Sequence, residues 1–82
     1  MPKKPIHLPR QAKLLALLRR LRMDARITQE QLAAKLKRPP SFVSKIEAGK
    51  RRLEVIELRE VCNVLGISLR RFVQEFEKAL QS

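Results

Sequence analysis

Reactive side chains are almost missing from this sequence. Its 82 residues include one cysteine, Cys62, and one histidine, His7. A lone cysteine makes no intrachain disulfide, and one imidazole with one thiol supplies no metal-ligand set. Glycine occurs twice, too few for a glycine-rich phosphate loop, and no nucleophile has a base to activate it. An enzyme is therefore not expected, nor a cofactor or a metal. Aromatic residues are limited to three Phe, with no Trp or Tyr, which disfavours binding of single strands by base stacking. There is no run of about 18 uncharged apolar residues, so no membrane span is expected. The leucines at 14, 15, 17 and 18 run directly into Arg19 and Arg20, too short an apolar core for a secretory signal. Together these absences lead to the expectation of one small, reduced, cytoplasmic domain.

What the chain does contain is positive charge. Nineteen Lys and Arg stand against eight Asp and Glu, a formal net charge of +11. Hydrophobic residues make up 44% of the chain, enough for a core and too much for a disordered polycation. Such an excess points to a polyanionic partner, most simply nucleic acid. The charge is uneven: residues 1–41 carry eleven basic and two acidic residues, residues 42–82 eight and six. Between Lys35 and Arg52 lie Lys35, Lys37, Arg38, Lys45, Lys50, Arg51 and Arg52, with Glu47 the only acid. A solvated face that merely keeps the protein soluble is the competing reading of any such run. A membrane-surface role is weaker, because no helix pairs a broad apolar face with an all-basic one.

The apolar spacing is helical throughout, with no alternating β-branched segment. Residues 1–8, rich in Pro and Lys, read as a basic extended arm, and residues 9–82 as the folded domain. A first helix is expected from about Pro9 to Asp24, with Leu14, Leu17, Leu18 and Leu21 in one stripe and Leu15 widening it. Thr28-Gln29-Glu30-Gln31 matches a capping box and starts a second helix, with Leu32, Ala33 and Leu36 inward. Pro39 cannot continue that helix. A third is expected to restart at about Pro40 or Ser41, to bury Val43 and Ile46, and to stop at Gly49. The fourth spans about Glu54 to Leu65, burying Val55, Leu58, Val61, Cys62 and Leu65, and ends at Gly66. Ser68 caps a fifth, whose Leu69, Phe72, Val73, Phe76 and Leu80 share a face. The expected fold class is all-α: a compact five-helix bundle. Helices two and three, joined by a short turn, make a helix-turn-helix over about residues 28–47. The third helix has a short polar outer face of a size to enter a major groove about 12 Å wide.

The segment TQEQLAAKLKRPPSFVSKIEAGKRRL resembles the helix-turn-helix of the phage Cro/CI-repressor (Xre) family. Ile27-Thr28-Gln29, Leu32-Ala33, Val43-Ser44-Lys45-Ile46-Glu47 and Gly49 carry the likeness. It continues through Leu58, Leu65-Gly66-Ile67-Ser68 and Phe72, covering roughly residues 12–75. The resemblance implies a lambda-repressor-like domain that binds operator DNA, usually as a homodimer.

By that likeness Gln29 contacts a backbone phosphate, and Pro40, Ser41, Ser44 and Lys45 face base edges. Lys45 is the candidate donor to guanine O6/N7, and Ser41 and Ser44 suit either kind of base. Phe42 is expected toward the rim, packing on a thymine methyl or a sugar, or else sealing the edge between the third and fourth helices. Arg38, Lys50, Arg51 and Arg52 flank the third helix and suit phosphates, which position without reading sequence. Arg22 and Glu47 match a family pair that forms a largely buried salt bridge orienting the reading helix. Four departures stand out: the family often has Gly at Arg26 and Lys37, a capping residue where Pro39 sits, and a base-reading amide side chain where Pro40 offers only apolar contact. Cys62 reads as a small buried apolar residue.

The leading expectation is a sequence-specific regulator of transcription, acting on double-stranded DNA as a homodimeric repressor associated with the nucleoid. Dimerisation would use Phe72, Phe76 and Leu80 with spare leucines of the first helix. The alternatives are a DNA-binding antitoxin or adaptor that engages a protein partner, and a non-specific architectural binder driven by charge. Lys3 and Lys4 of the arm could lie along a minor groove.

Overall fold

A computed structural model describes residues 9–81. The basic arm, with Lys3, Lys4 and His7, lies outside the described residues. Five helices follow one another: α1 Pro9–Asp24, α2 Gln29–Lys35, α3 Phe42–Glu47, α4 Val55–Leu65 and α5 Leu69–Gln81. No strand occurs among the described residues, and no helix is long and apolar enough to cross a membrane.

Pro9 is the first residue of α1, where its fixed φ is pre-set and no N–H is needed. At α2 the capping box forms as the sequence predicts. The Gln31 amide donates to Thr28 Oγ1 at 3.0 Å, and the Thr28 amide donates to Gln31 Oε1 at 2.9 Å. Ser68 caps α5 by accepting from the Arg71 amide at 3.0 Å. The start of α3 lacks such a cap: its helical residues begin at Phe42, and the Ser41 side chain makes no capping bond. Instead the Phe42 amide donates to the Pro39 carbonyl at 2.9 Å, a turn that a proline at this position permits.

The first four helices end in one pattern. Arg26, Lys37, Gly49 and Gly66 all have positive φ, between 58° and 79°. At each, the residue's own amide donates three residues back and the following amide donates five residues back. Examples are Lys37 to Ala34 with Arg38 to Ala33, and Gly49 to Ile46 with Lys50 to Lys45. This is the Schellman closure, which satisfies carbonyls that a helix end leaves open. Both glycines of the chain sit at such closures. Arg26 and Lys37 hold the other two with a Cβ that the left-handed region disfavours.

The core draws on every helix. Leu15, Leu17 and Leu18 of α1, Leu32 and Ala33 of α2, and Phe42, Val43 and Ile46 of α3 meet Val61, Cys62 and Phe72. Leu15 is deeper than sequence spacing suggests, while Leu14, Leu21 and Leu36 are only partly buried. The expectation for Val55 is corrected: it is 65% exposed, because it opens α4 before that helix reaches the core. Val73 is likewise exposed, one step around α5 from the fully buried Phe72. α1 packs on α3 and α5, and α2 lies against α3 and α4. The short α3 is thereby fixed on one face and open on the other.

Candidate nucleic-acid interface

α3 has six residues, about 9 Å of helix at 1.5 Å per residue. Val43 and Ile46 face inward as predicted, leaving Ser41 and Lys45 exposed and Ser44 half-exposed on the outer side. Pro40 is exposed beside them. The Ser44 hydroxyl donates to the Ser41 carbonyl at 3.1 Å, keeping its lone pairs outward. Lys45 makes no ion pair with a described residue. Lys50 and Arg52 are exposed in the loop that follows α3.

One end of α3 is held by a carboxylate network. Arg22 Nε and Nη2 donate to Glu47 Oε2 and Oε1 at 2.7 and 3.1 Å, a bidentate fork with both side chains largely buried. Arg22 Nη1 donates to the Ile27 carbonyl at 2.8 Å. Gln29 Nε2 donates to Glu47 Oε1 at 2.8 Å. Glu47 thus ties the end of α3 to α1 and to the first residue of α2. A fork of this kind is charge-assisted and directional, so it fixes the angle of the helix as well as its position. The resemblance placed Gln29 on a phosphate; here one amide hydrogen is committed to Glu47 and the other remains to donate outward.

The start of α3 differs from expectation. Phe42 is 6% exposed and belongs to the core, not the rim. Phe42 lies four residues before Ile46, on the face that α3 buries, and its ring sits under the Arg38 and Arg51 side chains. Both guanidinium carbons lie 4.7 Å from the ring centroid, a cation–π distance. Arg51 Nη1 and Nη2 also donate to Glu57 Oε1 and Oε2 at 2.9 and 3.0 Å, and Arg38 Nη2 lies 3.4 Å from Glu57 Oε2. Arg38 and Arg51 are therefore anchored side chains with one edge outward, unlike the free Lys50 and Arg52.

Sequence reading overlooked Glu57. The Arg51 fork holds its carboxyl at about 2, against an ordinary 4.5. The Glu54 amide and the Arg38 charge pull the same way, and burial opposes them. The available signal was its place three residues after Glu54 at a helix start, where it accepts from the Glu54 amide at 3.1 Å. Arg19 was also overlooked; it lines a shallow groove with Thr28, Gln29, Glu30, Ser44 and Ala48. It lies three residues before Arg22, on the same side of α1.

A family model described as a helix-turn-helix domain matches residues 13–72. An XRE-family like protein from Pseudomonas syringae pv. tomato str. DC3000 is 45% identical, with 89% of each chain covered and a TM-score of 0.82. The chain belongs to the XRE helix-turn-helix family. A second solved structure similar to this family member is the clp gene regulator ClgR from Corynebacterium glutamicum. The two are 34% identical over 94% of this chain and 83% of that one, with a TM-score of 0.75. The wild-type restriction-modification controller protein C.Esp1396I shares the fold at 24% identity, covering 93% of this chain and 100% of that one, with a TM-score of 0.83. No curated protein matches. Membership makes the XRE chain a DNA-binding protein of the transcription-regulator class.

Proposed function

We propose that this XRE-family chain is a sequence-specific regulator that reads operator half-sites in the major groove of double-stranded DNA with α3, as a homodimer, and represses. The observation that carries the reading is the outer face of α3. Ser44 and Lys45 project from a helix whose other face is core and whose far end is pinned by the buried Arg22–Glu47 fork, and Ser41 projects from the residue before it. Lys45 donates to guanine, the Ser41 hydroxyl suits either base type, and Ser44, whose hydroxyl hydrogen goes to the Ser41 carbonyl, accepts from a base amino group. Pro40 offers apolar contact only. Lys50 and Arg52 take phosphates, the outward edges of Arg38 and Arg51 add to them, and Gln29 offers its second amide hydrogen. Phe42 is assigned to the core.

The test compares Lys45→Ala with Arg52→Ala on an operator and on random duplex. Lys45→Ala should relax base preference at one position, by about 1–3 kcal/mol. Arg52→Ala should weaken every sequence alike and lower the slope of log affinity against log salt by about 0.9. Equal losses from both variants on every sequence would defeat base reading by α3.

A further inference from the structure

The Lys35–Arg52 stretch carries the densest positive charge in the chain, yet two of its arginines are turned toward one carboxylate from the next helix. For attraction to phosphate alone, Glu57 is a disadvantage, since it neutralises part of the charge that Arg38 and Arg51 would offer. Its geometry suits another task. Arg51 grips both carboxylate oxygens, Arg38 approaches one of them, and both guanidiniums lie on the ring of Phe42, the first residue of α3. Arg51 Nη1 also donates to the Arg52 carbonyl at 2.8 Å, drawing in the loop backbone. The turn before α3, the first residue of α3, the loop after it and α4 all converge on Glu57. A six-residue helix has too few internal hydrogen bonds to hold its own direction, and the Glu47 network secures its C-terminal end only.

We propose that Glu57 is a positioning residue for base reading: by clamping Arg38 and Arg51 over Phe42 it sets the angle at which α3 enters the groove. The inference rests on the major-groove reading proposed above. Arg38 and Arg51 keep 35% and 37% of their side-chain surface exposed, so the clamp orients two outward guanidinium edges as well as the helix. Glu57 itself, 9% exposed, touches no base in this scheme.

The test is Glu57→Gln, which keeps side-chain size and an acceptor oxygen but removes the charge. Binding of the full chain is titrated against a selected operator duplex and a random duplex of equal length. Operator affinity should fall about tenfold, the scale of a lost charged hydrogen bond, while random-duplex affinity holds or rises because a negative charge has gone. A purely structural role would reduce the folded fraction and lower both affinities together. Circular dichroism reports folding; if Glu57→Gln does not fold, Phe42→Leu takes its place, keeping apolar volume while removing the ring. That variant should lower the operator-to-random ratio in the same direction. An unchanged ratio in whichever variant folds overturns the proposal. If the unmodified chain itself shows no operator preference, the major-groove reading falls and this inference with it.

Discussion

Glu57 and Cys62 show how burial and partners decide what a titratable side chain does. Cys62 is fully buried, and desolvation pushes its thiol up to about 11, so it serves as a small apolar filler and not as a nucleophile. Glu57 moves the other way. A carboxyl held at about 2 in the folded chain and near 4.5 when unfolded contributes stability that is complete above 4.5 and lost as pH falls toward 2. Between about pH 5 and pH 3, urea unfolding should show a larger loss of stability for the unmodified chain than for Glu57→Gln. Equal losses would mean that the Arg51 fork contributes nothing to folding. This carboxylate was not legible in the sequence, because Glu57 is one of two acids on α4 and only the fold brings Arg38 and Arg51 to it. The Arg22–Glu47 pair was legible only through the family resemblance, since the 25-residue separation has no local signature. Phe42 was placed at the rim although it lies four residues before Ile46, on the same buried face of α3.

Helix boundaries were read well where a local signal exists. The Thr28 box, Ser68, Gly49 and Gly66 each mark a terminus by backbone chemistry that neighbouring residues dictate. The interior of α4 was less legible, since a period of 3.6 does not say at which residue a helix meets the core, and Val55 lies before that point. The shared closure of four helices gives a matched pair of predictions. A Cβ on Gly66 would meet nothing within 4 Å, so Gly66→Ala should lose about 1–2 kcal/mol through its left-handed φ alone. Arg26→Gly, at a φ of 58°, should gain about 0.5–1 kcal/mol, since relief of the Cβ outweighs the added freedom of the unfolded chain. Chemical denaturation of both variants checks the signs. Opposite signs would mean that these closures are governed by something other than backbone handedness.

At the scale of the molecule, +11 spread over 82 residues divides into distinct tasks. Arg22 is consumed in the interior and Arg38 and Arg51 are anchored, while Lys45, Lys50 and Arg52 are exposed and, on the reading proposed above, meet DNA. Dimerisation must be reconsidered on the same basis. Phe72 is in the core, which leaves Val73 and the half-buried Phe76 and Leu80 on α5, with Val55 and Ile56 exposed at 65% and 69% on α4. Sedimentation should find a dimer at micromolar concentration, or on DNA, and Val73→Glu should abolish it. A monomer in both conditions would count against the proposed homodimer. The central claim is that α3 reads sequence, and selection of bound sites from a random duplex library tests it most directly. The account predicts an enriched half-site, repeated with two-fold symmetry at a spacing of about 34–36 Å. A pool that stays random after repeated rounds would contradict it.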